Sequence, residues 1–530
     1  MTEPSLAVVN ARVWTGDAAR PWAEALVVDG GRLAQVGSTA EARKRIAVST
    51  RVVDARGMMV TPGFIDAHVH FLQGGFGLAS VQLRDADTPE EFSRRIAARA
   101  RRTPPGGWIL HGDWDHERWG GELPRRDWID AATPDHPVWV NRLDSHMSLA
   151  NGAALRAAGV TRNTPEIAGG TIVRDVDDEP TGLLKDNARA LVDRVVPRAS
   201  AADEDAALDA AMRHVAANGV TAVHHMGTWE DLAVFERAHG AGRLGTRIYA
   251  AVPLATWDRL RDRVDADGRG DGWLRVGALK GFVDGSLGSH TAAMLQPYED
   301  APDDRGLFVT TPDDLAAWCR AADAAGLHLI VHAIGDDAIR LQLDVYEDVA
   351  RERGARDRRF RIEHAQHVAP PDLSRFAALG VTASMQPYHA IDDGRWAERV
   401  VGRERAGYAF PIRSLLDAGT RVAFGSDWPV APATPLEGVY AAVTRRTLDG
   451  AHPGGWHPEQ RVTVEDALRA YTSAAAFAGF AEAETGTLTR GRLADLALID
   501  RDITRVSPET IAEARVMMTV VGGRIVHERT

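Results

Sequence analysis

Eight short apolar, β-rich runs alternate with helical patterns along this chain, and that alternation limits the fold more than any other feature. They are Phe64–His70, Val220–Met226, Arg247–Val252, Val276–Val283, Leu327–His332, Phe360–His364, Val381–Gln386 and Val422–Asp427. Strands that alternate with helices pair in parallel, and eight is the number that closes a (β/α)8 barrel. The interval between the first two runs is too long for a loop. It carries Trp108, Trp114, Trp119, Trp128 and Trp139, enough large apolar surface for a core of its own. Residues 75–200 are therefore expected to form an α+β domain inserted after the first barrel strand.

The termini follow a different design. Leu6–Val9 and Ala25–Val28 precede an Asp29-Gly30-Gly31 hairpin signal and the run Arg32–Val36, a strand-turn-strand pattern. Asp495–Ile499 and Met518–Val526 repeat it, with Gly522-Gly523 as the matching turn. Strands this short cannot bury a face alone, so residues 1–58 and 485–530 are expected to pair into one small β-sandwich. Residues 59–74 and 201–484 are left for the barrel, and the fold class is α/β.

Composition narrows the function. The net charge is −12 over 530 residues, and arginine-rich stretches are interleaved with Asp and Glu, so no basic face for nucleic acid is expected. No window reaches the length of a membrane span, and the N-terminus lacks a basic region followed by an apolar stretch. A cytoplasmic protein with a small-molecule partner is expected, and a homodimer is compatible with the sequence. The single cysteine, Cys319, sits in the helical pattern Leu315, Trp318, Cys319, Ala322 and reads as a buried small hydrophobe.

The basic residues carry a further signal. Of 62 lysines and arginines, only Lys44, Lys185 and Lys280 are lysines. Lys44 lies in a polar helical pattern and needs only a solvated face. Lys280 ends the apolar run Val276-Gly277-Ala278-Leu279, where an unpaired charge is costly. A primary amine at this position points to a chemical requirement that arginine does not meet.

His68 and His70 are spaced i, i+2 at the end of the first run, so a strand directs both imidazoles to one face as half of a divalent-metal site. The C-terminal ends of barrel strands converge on one mouth, so separation in sequence does not prevent shared coordination. Lys280 lies in the fourth run, His332 closes the fifth, His364 the sixth and Asp427 the eighth. Each alone reads as a hydrogen-bonded core residue. Six at one rim read as a metal centre.

At these positions the chain resembles the metal-dependent amidohydrolase superfamily, and within it the amidohydrolase-3 group that includes N-substituted formamide deformylases. The resemblance runs through Pro62–His70, Leu279–Gly288, His332-Ala333-Ile334-Gly335-Asp336, Arg361–His364 and Gly425-Ser426-Asp427. It implies a distorted barrel flanked by a small β-sandwich. It also implies His68, His70 and Asp427 on one metal, His332 and His364 on a second, and Lys280 as a carboxylated bridge (N6-carboxylysine), with one or two Zn2+ ions. An amine made neutral by burial and a nearby dication can react with carbon dioxide to give such a bridge. A simple ion pair of Lys280 is the alternative.

The chemistry implied is hydrolysis of an amide-type C–N bond by metal-activated water, with Asp427 moving the proton from that water to the departing amine. A phosphotriesterase or lactonase would use the same lysine-bridged site. Deaminases of the superfamily carry glutamate where this chain has Gly335, which disfavours deamination. A barrel that binds metal or ligand without chemistry is the remaining reading, and retention of Asp427 argues against it. His146, His225, His290, Gln386 and Trp428 are the candidates for substrate contact around the mouth.

Overall fold

Eight strands form one parallel sheet in chain order: β1 (Phe64–Val69), β2 (Val220–Met226), β3 (Arg247–Pro253), β4 (Leu274–Phe282), β5 (His328–Ala333), β6 (Arg361–His364), β7 (Thr382–Met385) and β8 (Val422–Phe424). They are the eight runs expected from the sequence, seen here in a computed structural model of the chain described over residues 4–529. Nearly every strand residue is buried, because one face meets the helices and the other fills the barrel. Helices Ala201–Ala217 and Trp229–Gly240 start at capping boxes, Ser200 with Asp203 and Thr228 with Asp231, which satisfy orphan backbone N–H groups. Leu208, Val215, Phe235, Leu343 and Tyr346 pack from the helices onto Phe64, Val223, Ile248 and Val331.

The barrel is nearly closed, and its seam lies beyond the last strand. The N–H of Asp427 donates to the carbonyl of His68 at 2.7 Å, and the N–H of His70 donates to the carbonyl of Trp428 at 2.8 Å. This close approach needs a residue without a side chain. A Cβ on Gly425 would stand 2.5 Å from the backbone nitrogen of His68 and 3.0 Å from Asp66 Oδ1.

The chain ends build two further sheets. One has six strands, in spatial order Trp22–Ala23, Arg12–Trp14, Met59–Pro62, Leu496–Ile499, Val516–Val521 and Arg524–Glu528. The other has four, in order Arg32–Gly37, Ala25–Asp29, Leu6–Val9 and Arg51–Asp54. Leu6, Val8, Leu26, Val28, Val60, Leu496, Met518 and Val520 share one apolar cluster between them. Both glycine pairs turn as expected, with positive φ at Gly30, Gly31, Gly522 and Gly523, the requirement of a two-residue hairpin. Met59–Pro62, which the sequence reading gives to the barrel segment, instead pairs antiparallel with Leu496–Ile499. The expected terminal unit also takes in residues 1–3 and 530, which lie outside the described residues.

Residues 109–186 hold a five-stranded sheet, ordered Gly170–Arg174, Pro180–Asp186, Met147–Ala150, Val138–Asn141 and Ile109–Leu110. Phe92, Trp114, Ile129 and Val140 pack in one cluster there, and Trp139, Leu155, Ile172 and Leu184 in another. Among the described residues no helix is long and apolar enough to cross a membrane.

Two outcomes follow from this packing. Gly425→Ala should wedge the seam and cost about 1–3 kcal/mol, read as a lowered urea midpoint; an unchanged midpoint would mean that the seam yields freely. Cys319 is fully buried, and burial pushes its thiol up to about 12. It should therefore ignore Ellman's reagent in the folded protein and titrate as one thiol only after denaturation.

Candidate metal centre

Five strands deliver the six expected side chains to one end of the barrel. His68 lies in β1, and His70 follows it at the N-cap of helix Phe71–Gly77. Lys280 lies in β4, His332 in β5 and His364 at the last position of β6. Asp427 follows β8 with a left-handed φ of 61°, an uncommon conformation for a residue with a side chain. Asp66 holds that turn: its Oδ1 accepts from the N–H of Ser426 at 2.8 Å and from the N–H of His68 at 3.3 Å, while Ser426 Oγ donates to Oδ2 at 2.5 Å.

The strand period alone would not bring His364 inward. Arg361 and Glu363 share parity and face the barrel axis, so the next residue ought to face the helices. Left-handed backbone at His364 (φ 71°) and Ala365 (φ 44°) turns the imidazole back. The ring centroid of His364 then lies 4.8 Å from that of His68 and 4.5 Å from that of His332.

His68, His364 and Asp427 offer ligand atoms that all lie within 4.8 Å of one another. Asp427 Oδ1 is 3.4 Å from His68 Nε2 and 3.3 Å from His70 Nε2. His68 Nδ1 is committed to Glu363 Oε2 at 2.5 Å, so its Nε2 presents a lone pair to that carboxylate oxygen. Asp427 Oδ1 is buried and accepts no hydrogen bond. A buried carboxylate oxygen without a donor, facing an imidazole lone pair, fits a cation between them. His332 donates from Nε2 to the carbonyl of Gly285 at 2.9 Å, which leaves Nδ1 as its free donor atom.

Charge follows the same logic. Burial, then the neighbouring Lys280 cation, holds His68 well below the ordinary imidazole range. Burial and the adjoining rings do the same to His332 and His364, so three neutral imidazoles are available as ligands. Burial works to raise Asp427, but His68 and His70 outweigh it and bring the carboxyl down to about 2. Burial lowers Lys280 to about 8. Its Nζ lies 3.4 Å from His68 Nε2 and 4.7 Å from the centre of the Phe282 ring. Among the described residues it has no carboxylate within 4.0 Å, so the ion-pair alternative finds no partner here.

A cavity of about 250 Å3 lies over this cluster, bounded by His70, His146, Lys280, His332, His364 and Asp427. A chamber of about 50 Å3 adjoins it, with Asp144, His389 and Asp393 on its wall. A further cavity, about 510 Å3, opens where the strands begin, beside Ile65, Ala222 and Ile248. It is remote from the ligand cluster.

The five residues expected to touch substrate are distributed unevenly. His146 reaches the cavity, 5.0 Å from the ring of His332, with Nδ1 on Asp186 at 2.6 Å. Gln386 is fully buried behind the site, its Oε1 2.9 Å from His364 Nδ1. His225 points out of the barrel, where Nδ1 accepts the N–H of Phe71 at 3.1 Å and Nε2 faces Asp231 at 3.3 Å. His290 is tied to Asp300 at 2.9 Å and packs on Tyr298, off the cavity wall. Trp428 stacks on His214 and lends the site only its carbonyl.

Several functional positions escaped the sequence reading. Asp66 stands two residues before His68, and Glu363 stands directly before His364, so both lie in quoted motifs as unremarked carboxylates. Asp144 accepts from Arg142 at 2.6 Å and from Ser286 and Ser289 at 2.5 and 2.9 Å. His389 stacks parallel to His364 at 6.3 Å and its Nε2 has no partner. Only the fold could have brought these last two to the cavity.

The sequence profile of the Amidohydrolase family, amidohydrolase-3 group, matches residues 51–527. The chain is 39% identical over 532 residues to Protein LONG AFTER FAR-RED 3 of Arabidopsis thaliana, covering 98% of this chain and 91% of that one. It is 32% identical to the N-substituted formamide deformylase of Arthrobacter pascens, covering 99% and 98%. An uncharacterized metal-dependent hydrolase from Pyrococcus horikoshii superposes with a TM-score of 0.77 at 28% identity, over 95% of this chain and 99% of that one. This chain therefore belongs to the amidohydrolase family as a metal-dependent hydrolase of carbon–nitrogen bonds.

Proposed function

We propose that the protein hydrolyses the amide bond of an N-substituted formamide or a closely related small amide, using one or two Zn2+ ions and a carboxylated Lys280. The observation that carries the reading is the convergence of His68, His364 and Asp427 around an unsatisfied carboxylate oxygen, beside a buried amine. His68, His70 and Asp427 would hold one ion, His332 and His364 a second, and the Lys280 carbamate both. The borderline-soft nitrogen and oxygen donor set suits zinc. Bound dications supply a lowered water pKa and a polarised carbonyl.

The remaining work falls to the chain itself. Asp427, ionised near neutrality, accepts the proton of the attacking water and passes it to the amine nitrogen as the C–N bond breaks. His146, steadied by Asp186, stands on the cavity wall where a carbonyl oxygen would need a donor. Burial would lower its pKa, but Asp186 and then Asp144 raise it, which favours the donor form. Residues 75–200, read as an inserted domain, supply Asp144, His146 and Asp186 to this wall. The two terminal sheets, read as one composite sandwich, supply none of it.

Assay of amine release from a panel of N-aryl and N-alkyl formamides, beside paraoxon and a lactone, tests the reading. Amide turnover should dominate, vanish on exhaustive chelation and return with Zn2+. Faster phosphotriester or lactone turnover would overturn it, and silence on every panel with full metal loading would favour a binding protein. Asp427→Asn should keep most of the metal while kcat falls by about 100-fold or more; equal loss of both would reduce Asp427 to a ligand. His290→Ala should leave kcat/KM and metal content within about twofold of the parent, because a surface ion pair of this kind contributes little.

A further inference from the structure

Below the ligands, the inner face of β6 carries two residues that line none of the cavities described above. Arg361 and Glu363 are both fully buried. Arg361 Nε donates to Glu363 Oε1 at 2.8 Å and its Nη2 to Oε2 at 3.1 Å. Every other edge of the guanidinium is also used: Nη2 donates to the carbonyl of Ala67 at 2.6 Å and to Ser384 Oγ at 3.1 Å, and Nη1 donates to His224 Nδ1 at 2.9 Å. One guanidinium thus ties β1, β2, β6 and β7 together. Glu363 Oε2 has one further partner, His68 Nδ1 at 2.5 Å.

Stability alone does not account for this pair. Two charges withdrawn wholly from water commonly stabilise a fold no more than a well-packed apolar pair, so the pair calls for another reason. The opposite edge of His68 supplies it. Nε2 faces Asp427 Oδ1 at 3.4 Å and Lys280 Nζ at 3.4 Å, and it can bind a cation only if the ring proton is on Nδ1. Glu363 accepts that proton's hydrogen bond and, gripped by Arg361, cannot rotate away.

We propose that Glu363, braced by Arg361, is the positioning residue that fixes the tautomer and the angle of His68 for metal binding. The inference rests on His68 being a ligand of the centre proposed above. A carboxylate behind a ligating imidazole also raises its basicity, and removing one weakens metal binding about 10–100-fold in comparable sites. The sign for glutamine is set by Arg361. The amide oxygen must face the guanidinium, so the NH2 group is left facing His68 Nδ1 and drives the ring proton to Nε2, the ligand atom.

Zn2+ affinity measured by chelator competition on the full-length enzyme tests this. Wild type, Glu363→Gln, Glu363→Asp and His68→Ala are compared, with the melting temperature of each metal-free protein recorded. Glu363→Gln should weaken binding about 10–100-fold, Glu363→Asp should recover part of the loss, and Co2+-loaded Glu363→Gln should show a shifted visible spectrum. Affinity within threefold of wild type in both Glu363 variants, with His68→Ala impaired, would overturn the positioning role and leave the metal centre standing. A lowered melting temperature with unchanged affinity would likewise reduce Glu363 to a structural brace. Wild-type protein that binds no Zn2+ would overturn both. Nitrogen-15 NMR of wild-type histidines needs no variant: His68 should carry its proton on Nδ1, and a proton on Nε2 would refute the proposal.

Discussion

The N–H of Asp427 bonds to the carbonyl of His68, and the N–H of His70 bonds to the carbonyl of Trp428. These bonds do two things at once. They pin the end of the last strand to the end of the first, and they fix three candidate ligands against one another before any cation arrives. The rest of the cluster is arranged around that seam, from the glycine at 425 that permits the approach to the Asp66–Ser426 bracket that shapes the turn. Backbone geometry, more than side-chain freedom, sets the separation between imidazole and carboxylate.

Inside the barrel the electrostatics divide into two layers. At the mouth, the neutral imidazoles and the ionised Asp427 direct electron pairs at a shared space, with the Lys280 amine beside them. Beneath them Arg361 and Glu363 form a saturated pair whose hydrogen bonds are all directed at protein groups. The first layer is unsatisfied by design of its geometry and the second is fully satisfied, which lets the lower layer hold the upper one rigid at positions where an unpartnered charge would otherwise be costly.

Much of this was legible in the sequence because barrels have simple rules. The eight runs became the eight strands, and strand ends meet at one mouth whatever their separation, so His68, His70, Lys280, His332, His364 and Asp427 could be grouped without coordinates. The scarcity of lysine singled out Lys280, and the glycine pairs at 30–31 and 522–523 marked their hairpins. The errors have equally definite causes. His225 points away from the mouth because period-two alternation sends only one of two adjacent histidines into the barrel, and it is His224 that meets Arg361. His290 and Trp428 lie beyond strand ends, where no period governs direction.

By itself, the sequence determined the strand count, the residue types available at the barrel mouth and the family to which the chain belongs, since these depend on local pattern and on motifs read in order. Tertiary structure alone decided which side chains share a space. The left-handed backbone at His364 and Asp427 overrides strand parity, so Glu363 and His364 can be neighbours in sequence and both face the axis. The turn that carries Asp144 and His146 and the helix Pro387–Asp393 that carries His389 meet on one wall from remote parts of the chain. Both effects depend on contacts between distant segments, and hydrophobic periodicity carries no information about those.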